Sequence, residues 1–267
     1  MSTTASGPHF PASAPAAWRR RAVVKITMAE AKIMLRDVAA VFFAFVFPAL
    51  LLIALGAGMP GFQDEAEELG GLRPVDVYGP VVIGLAIATT AFTVLPAYLA
   101  LYRETGVLRR LAVTPASPAM LLAGQLVVNV LLATIGSIIA LLAAVVLFDV
   151  ELPGNPAGLA LAFVLSTVAS FSLGLVIAAV AKNGRVASGI GMVVYFPMLF
   201  FAGVWTPGDT MPDGARAVAD FTPLGAATEA MADAWVHGDW PSTLHLLVLA
   251  GWAVVGGFAA ARLFRWE

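Results

Sequence analysis

Apolar residues gather in six long runs, 38–56, 80–102, 121–148, 157–181, 187–204 and 243–264, separated by short polar stretches. About 20 residues rising 1.5 Å each cross the roughly 30 Å of a bilayer's hydrocarbon, so this pattern predicts six transmembrane helices. The third run is long enough to tilt or to begin as a separate helix, and the fifth is the shortest. Ahead of the first run, residues 18–36 change pattern: Arg21, Lys25, Lys32 and Arg36 fall within an arc of about 60° at 100° per residue. Val24, Met28, Ala31 and Leu35 lie on a neighbouring apolar arc. The segment reads as an amphipathic interfacial helix with its basic stripe toward anionic headgroups; an ordinary orienting cluster would carry the same charges. Residues 1–17 are rich in Ser, Thr, Ala and Pro and read as a disordered tail. The first apolar run comes too late and is too long for a secretory signal, so no processing is expected. Between the fifth and sixth runs, Thr222 followed by Pro223 signals a helix start, with Ala226, Ala227, Ala230, Met231 and Ala234 as an apolar stripe ending near Gly238. A short helix docked on, or re-entering, the outer leaflet is expected there.

Composition removes most alternatives. The 267 residues are 60% hydrophobic and 12% charged, with mean hydropathy +0.89; a soluble protein is about 25% charged, so a soluble enzyme is excluded. The net charge of −2 averages two unlike sides. With the amino terminus inside, 13 of the 15 basic residues fall in inner segments, only Arg73 and Arg216 fall outside, and 13 of the 17 acids are in outer loops. The positive-inside rule therefore places both termini in the cytoplasm. There is no cysteine, hence no disulfide or thiolate chemistry. His9, His237 and His245 are too scattered to predict a metal site, and no nucleic-acid partner is expected.

The span cores hold no Asp, Glu, Lys or Arg, and only His245, near one end, can titrate. Proton-coupled carriers keep ionisable groups in the membrane, and intramembrane enzymes need convergent acids or a Ser/His arrangement; neither is present. Ala162, Ser166, Ser170, Gly174 and Ala178 recur every four residues and read as a helix-packing seam. Thr89, Thr90 and Thr93 are mid-membrane hydroxyls that either bond the carbonyl one turn back or face a pore. Pro48 and Pro197 interrupt the first and fifth runs as candidate kinks. The aromatic run Tyr195, Phe196, Phe200, Phe201 and Trp205 reads equally as lipid anchor or cavity wall. Clustered acids at Asp64–Glu68 read as a solvated loop.

The loop after the second run carries the most specific pattern: Arg103-Glu104-Thr105-Gly106, then Arg109-Arg110-Leu111, then Thr114-Pro115 and Pro118. These charges alone could be topology markers. Together with Phe196-Pro197 through Gly203-Val204-Trp205-Thr206-Pro207, then Met211-Pro212 and Phe221-Thr222-Pro223, the chain resembles permease subunits of the ABC type-2 exporter family, particularly the daunorubicin/doxorubicin drug-resistance branch. The resemblance covers roughly residues 18–267, with Trp205 in place of a more usual Phe-like residue and a rather long, acidic first outer loop.

The resemblance implies a half-transporter in a bacterial cytoplasmic membrane. Two permease copies, a homodimer or a pair with a related chain, would work with two cytoplasmic ATPase subunits that bind Mg-ATP. Arg103, Glu104, Gly106, Arg109, Arg110, Leu111, Pro115 and Pro118 would form or position the ATPase contact. The first and fifth spans, with Pro48, Thr89, Thr90, Thr93, Tyr195, Phe196, Pro197, Phe200, Phe201 and Gly203, would line the export path or the dimer interface. The chain has no G-x-x-x-x-G-K-[ST] loop, so no ATP hydrolysis and no cofactor are expected in it. An uncharged path favours hydrophobic drugs or lipids, with lipid-linked polysaccharide as the nearer alternative. A channel or scaffold without an ATPase is the alternative of a different class; its marks, a polar pore ring or a soluble interaction domain, are missing from the sequence.

Overall fold

The computed structural model describes residues 16–112, 117–206 and 211–263, all helix, turn or loop, with no strand among them. An amino-terminal helix, Ala16–Met34, precedes six helices long and apolar enough to span a membrane. These are Val38–Gly58, Pro74–Glu104, Pro118–Phe148, Pro156–Val180, Gly184–Phe201 and Thr243–Leu263. The chain is an all-helical, polytopic membrane protein. The third span is one continuous helix of 31 residues, so no separate helix precedes it. Pro115 and most of the tail 1–17 lie outside the described residues.

Burial ranks the spans. The second span is 83% buried inside protein along its most apolar stretch, against 17–50% for the other five; the first, third, fourth and fifth spans pack on it, and the sixth packs on the fourth. Small residues permit this packing. Ala162, Ser166, Ser170, Gly174 and Ala178 of the fourth span are all buried, as a packing seam requires. Between the fifth and sixth spans, Thr222 caps the helix Pro223–Trp235 by accepting the Gly225 N–H at 3.1 Å. Leu224, Ala226, Ala227, Ala230 and Met231 are fully buried against the second, fourth and sixth spans. This short helix is thus covered by protein, and its close (Trp235 and Ala234 carbonyls) accepts the N–H groups of Gly154 and Asn155.

Two spans carry a wide turn before a proline. Proline offers no N–H to the carbonyl four residues back and its ring crowds that carbonyl; a local i→i+5 turn relieves the clash. Phe42–Val46 forms such a turn ahead of Pro48, where the Phe47 N–H reaches the Phe42 carbonyl. Thr89–Val94 does the same ahead of Pro96, where the Leu95 N–H reaches Thr90. Pro197, by contrast, sits within a continuous helix on its exposed side. The carbonyl oxygens of Ala44, Ala91 and Phe92, all in these wide turns, rest on Gly136, Gly174 and Gly191 of the third, fourth and fifth spans. A Cβ at any of the three would overlap the oxygen, so close crossing demands glycine.

Candidate functional site

The first, second and fifth spans leave a groove of about 520 Å³ between them. Its walls are apolar: Phe43, Phe47 and Leu51 from the first span, Leu85 and Val94 from the second, Met192, Phe196 and Leu199 from the fifth. It runs from Asp37, at the end rich in basic residues, to Trp205, at the acidic end. Thr89, Thr93 and Tyr195 supply a narrow polar strip along it. Their hydroxyls are already engaged: Thr89 donates to the Leu85 carbonyl (2.7 Å) and meets the Tyr195 hydroxyl (3.0 Å), while Thr93 donates to the Thr89 backbone carbonyl (2.6 Å). Back-bonding and groove-lining, taken as alternatives on the sequence, occur together here.

The remaining residues expected on the path are elsewhere. Thr90 is fully buried and bonds the Ala86 and Ile87 carbonyls, and Pro48 is buried, so neither faces the groove. Phe201 and Gly203 line a second cavity at the acidic end, with Arg216, Glu229 and His237. Phe200 and Pro197 are exposed on the fifth span outside the groove lining. For Pro48, Thr90 and Pro197 the cause is helical phase: each follows a groove-lining residue, Phe47, Thr89 or Phe196, and so lies about 100° round its helix from the cleft.

At the basic end a vestibule of about 470 Å³ shares Asp37, Ala97 and Tyr98 with the groove. Its other walls include Glu104, Asn183, Gly184 and Arg185. The charged turn stands beside it. Gly106, at φ +73, is in the left-handed region that glycine enters without strain, and it reverses the chain into the short helix Val107–Ala112. Leu108 is buried and anchors that helix, leaving Arg109 and Arg110 exposed. Arg103 is instead half-buried and donates to the Ala179 carbonyl of the fourth span at 3.3 Å. Glu104 accepts the Gly184 N–H at 3.2 Å, next to the Asn183 side chain that accepts the Val186 N–H at 2.9 Å. A carboxylate at a helix amino terminus is favoured by the helix dipole. The charged turn is therefore fastened to the first residue of a groove wall, a link that no spacing in the sequence signals.

The amino-terminal helix exposes Arg21, Lys25 and Lys32, and on its apolar arc Val24 and Met28; it ends at Met34, so Leu35 and Arg36, expected on it, are exposed in the turn that follows. Its opposite side packs on the third span, where Gly124 admits Ile26 and Thr27. Glu30, 6% exposed, accepts hydrogen bonds from the Tyr102 hydroxyl (2.6 Å) and the Gln125 amide. Asn129 donates to the Gln125 side chain at 3.1 Å. Asp37 caps the first span through the Ala40 N–H (3.1 Å) and accepts from the Tyr98 hydroxyl (2.8 Å). Sequence reasoning passed over this polar layer; two amides four residues apart in an otherwise apolar run, Gln125 and Asn129, were its visible mark.

The ABC-2 type transporter family model matches residues 21–235, from the amino-terminal helix through the groove and the charged turn to the end of the helix Pro223–Trp235. The chain belongs to the ABC-2 type transporter family. It is also similar to the daunorubicin resistance ABC transporter permease protein DrrB1 of Streptomyces coeruleorubidus, with 31% identity over 118 residues. That match covers 42% of this chain and 41% of the relative, so it spans about two fifths of the relative's length. The ABC-2 region takes in the whole groove and vestibule, leaving the sixth span beyond it. Among the described residues no group of three or more His, Asp or Glu is placed to hold a metal.

One acid in the ABC-2 region is strained by its surroundings. Burial raises the Glu229 pKa above the usual carboxylate value; Arg216 and His245 oppose that shift, and Asp220 and Asp233 reinforce it. A carboxyl whose folded pKa lies above its unfolded one destabilises the fold at pH above the folded value, and the penalty disappears as pH falls through it. Glu229→Gln is therefore expected to melt higher than the parent at pH 8, with the difference vanishing near about pH 4, where the unfolded carboxyl also protonates. Thermal unfolding in detergent at the two pH values checks this, and equal melting at pH 8 would contradict it.

Proposed function

We propose that this chain is the permease subunit of an ABC exporter that moves a hydrophobic or amphipathic small molecule out of the cytoplasm or the inner leaflet. Two copies face one another across their grooves, and two copies of a separate ATPase supply the energy. The basic end faces the cytoplasm of a bacterial cell, with both termini inside. The groove carries the reading: it runs between the two ends of the bundle with almost wholly apolar walls. An apolar path excludes an unpaired charge and admits a lipid-like or drug-like body.

Coupling follows from the fastening of the charged turn. Exposed Arg109 and Arg110 meet the ATPase, Gly106 sets the angle of their helix, and Glu104 passes displacement to the amino end of the fifth span. Movement of that span changes the groove's width, which is alternating access by rigid elements. Daunorubicin, the compound in the relative's name, is the first probe to use.

In inverted vesicles holding the permease–ATPase complex, ATP-driven uptake of daunorubicin is expected to fall at least about tenfold in Leu51→Trp or Thr93→Trp, a contact's worth of free energy or more. ATPase co-purification should survive. Undiminished uptake with a filled groove would remove the groove from the path, and uptake by the chain without any ATPase would favour the channel reading.

A further inference from the structure

Two phenols stand four residues apart on one face of the second span, Tyr98 and Tyr102, with ring centroids 6.3 Å apart. Each donates to a carboxylate outside its own helix. Tyr102 reaches Glu30 and Tyr98 reaches Asp37, in the reverse order expected of an antiparallel pairing. Glu30 lies in the amino-terminal helix, and Asp37 is the cap on which the first span begins. Two residues on from Tyr102 is Glu104, the acid that holds the fifth span.

We infer that Glu30 and Asp37 are positioning residues. Through Tyr102 and Tyr98 they clamp the amino-terminal helix and the start of the first span to the basic end of the second span, so that these parts and the charged turn move as one body.

The placement of polar groups supports this over simple packing. The amino-terminal helix already has apolar residues against the third span, including fully buried Met34, and apolar surfaces alone leave neighbouring registers close in energy. Buried polar contacts are best attested as devices that fix register, because a slip strands the carboxylate without donors. Glu30 is such a group: its partners are neutral donors, the Tyr102 hydroxyl and the Gln125 amide, both available only in this register. The second bond sits where movement matters. Asp37 and Tyr98 belong to both the groove and the vestibule, so the clamp closes on the mouth between them. A push on Arg109 and Arg110 would then reach the groove by two routes, through Glu104 to the fifth span and through the phenols to the first.

The absence of cysteine makes the test direct, because two introduced thiols are the only ones to label. Lys25 and Thr105 are exposed, on the amino-terminal helix and beside the charged turn. The full chain carrying Lys25→Cys and Thr105→Cys, spin-labelled in lipid nanodiscs, is expected to give one narrow distance distribution. Adding Tyr98→Phe and Tyr102→Phe, which keep the rings and delete only the hydroxyls, should broaden and shift it without loss of membrane insertion or monodispersity. An unchanged distribution in the double Phe chain would overturn the clamp. This arm needs no ATPase and does not depend on the exporter reading. A second arm does: with the ATPase bound, Mg-ATP should leave the 25–105 distance unchanged in the parent and move it in the Phe variant. A parent distance that shifts with Mg-ATP would also overturn the clamp. If no ATPase binds, the exporter reading fails, and the first arm still decides the clamp.

Discussion

Replacing Gly191 with alanine is expected to cost about 3 kcal/mol or more of stability, the upper part of the range for overpacking, because the new methyl meets a main-chain oxygen. The obstacle is the Phe92 carbonyl, fixed within the wide turn of the second span, and no rotamer change moves it aside. Gly136→Ala against Ala44 and Gly174→Ala against Ala91 should behave alike. Total stability of a domain is only about 5–15 kcal/mol, so any two of these together should leave little folded protein. The internal controls are Gly189 and Gly251, helical positions where a methyl would meet nothing within 4 Å. Alanine at either should be neutral or stabilise by up to about 1 kcal/mol through its better helix propensity. Melting temperature and monodisperse yield in detergent read both outcomes. A Gly191→Ala chain that melts with the parent, or a Gly189→Ala chain that collapses, would show that the crossings are looser than described.

The second large effect is functional and should leave the fold untouched. Arg109→Ala combined with Arg110→Ala is expected to reduce permease-stimulated ATP hydrolysis in nanodiscs at least about tenfold, the equivalent of losing about 1.4 kcal/mol of productive contact. Both side chains are exposed, while Leu108 between the turn and the bundle is buried, so melting should stay at the parent value. Arg103→Ala is a different experiment: it deletes a bond to the Ala179 carbonyl and should loosen the bundle as well. Full stimulation in the double alanine chain would place the ATPase contact elsewhere.

The six spans, the helix Pro223–Trp235 and its Thr222 cap were legible because their signals are local. A run of apolar residues, a capping hydroxyl and a following proline act within one helix turn or one helix length. The small-residue seam of the fourth span was legible for the same reason. The groove was readable only in part. Thr89, Thr93, Tyr195 and Phe196 meet in it, but Thr90, Pro48, Phe201 and Gly203 turn away, since which side of a helix faces a neighbour depends on all the helices around it. The wide turns escaped notice at Pro96 and were taken for a simple kink at Pro48; their sign is a glycine on another span some ninety residues away, such as Gly136 for Ala44. Bonds such as Glu104 to Gly184, 80 residues apart, or Gln125 to Glu30, 95 apart, leave no periodic trace at all.

The burial of the second span bears on how the protein is made. Synthesis delivers this helix to the bilayer before the fourth and fifth spans that pack on it exist, so lipid must first occupy the faces that protein later covers. Hydrocarbon tolerates no unsatisfied polar group, yet Thr89, Thr90 and Thr93 each bond a carbonyl of their own helix and arrive already satisfied. Biogenesis then proceeds as an exchange of lipid for protein around one early helix. A nascent chain halted after the third span would still hold that helix stably in the membrane, waiting for the glycines that close over it.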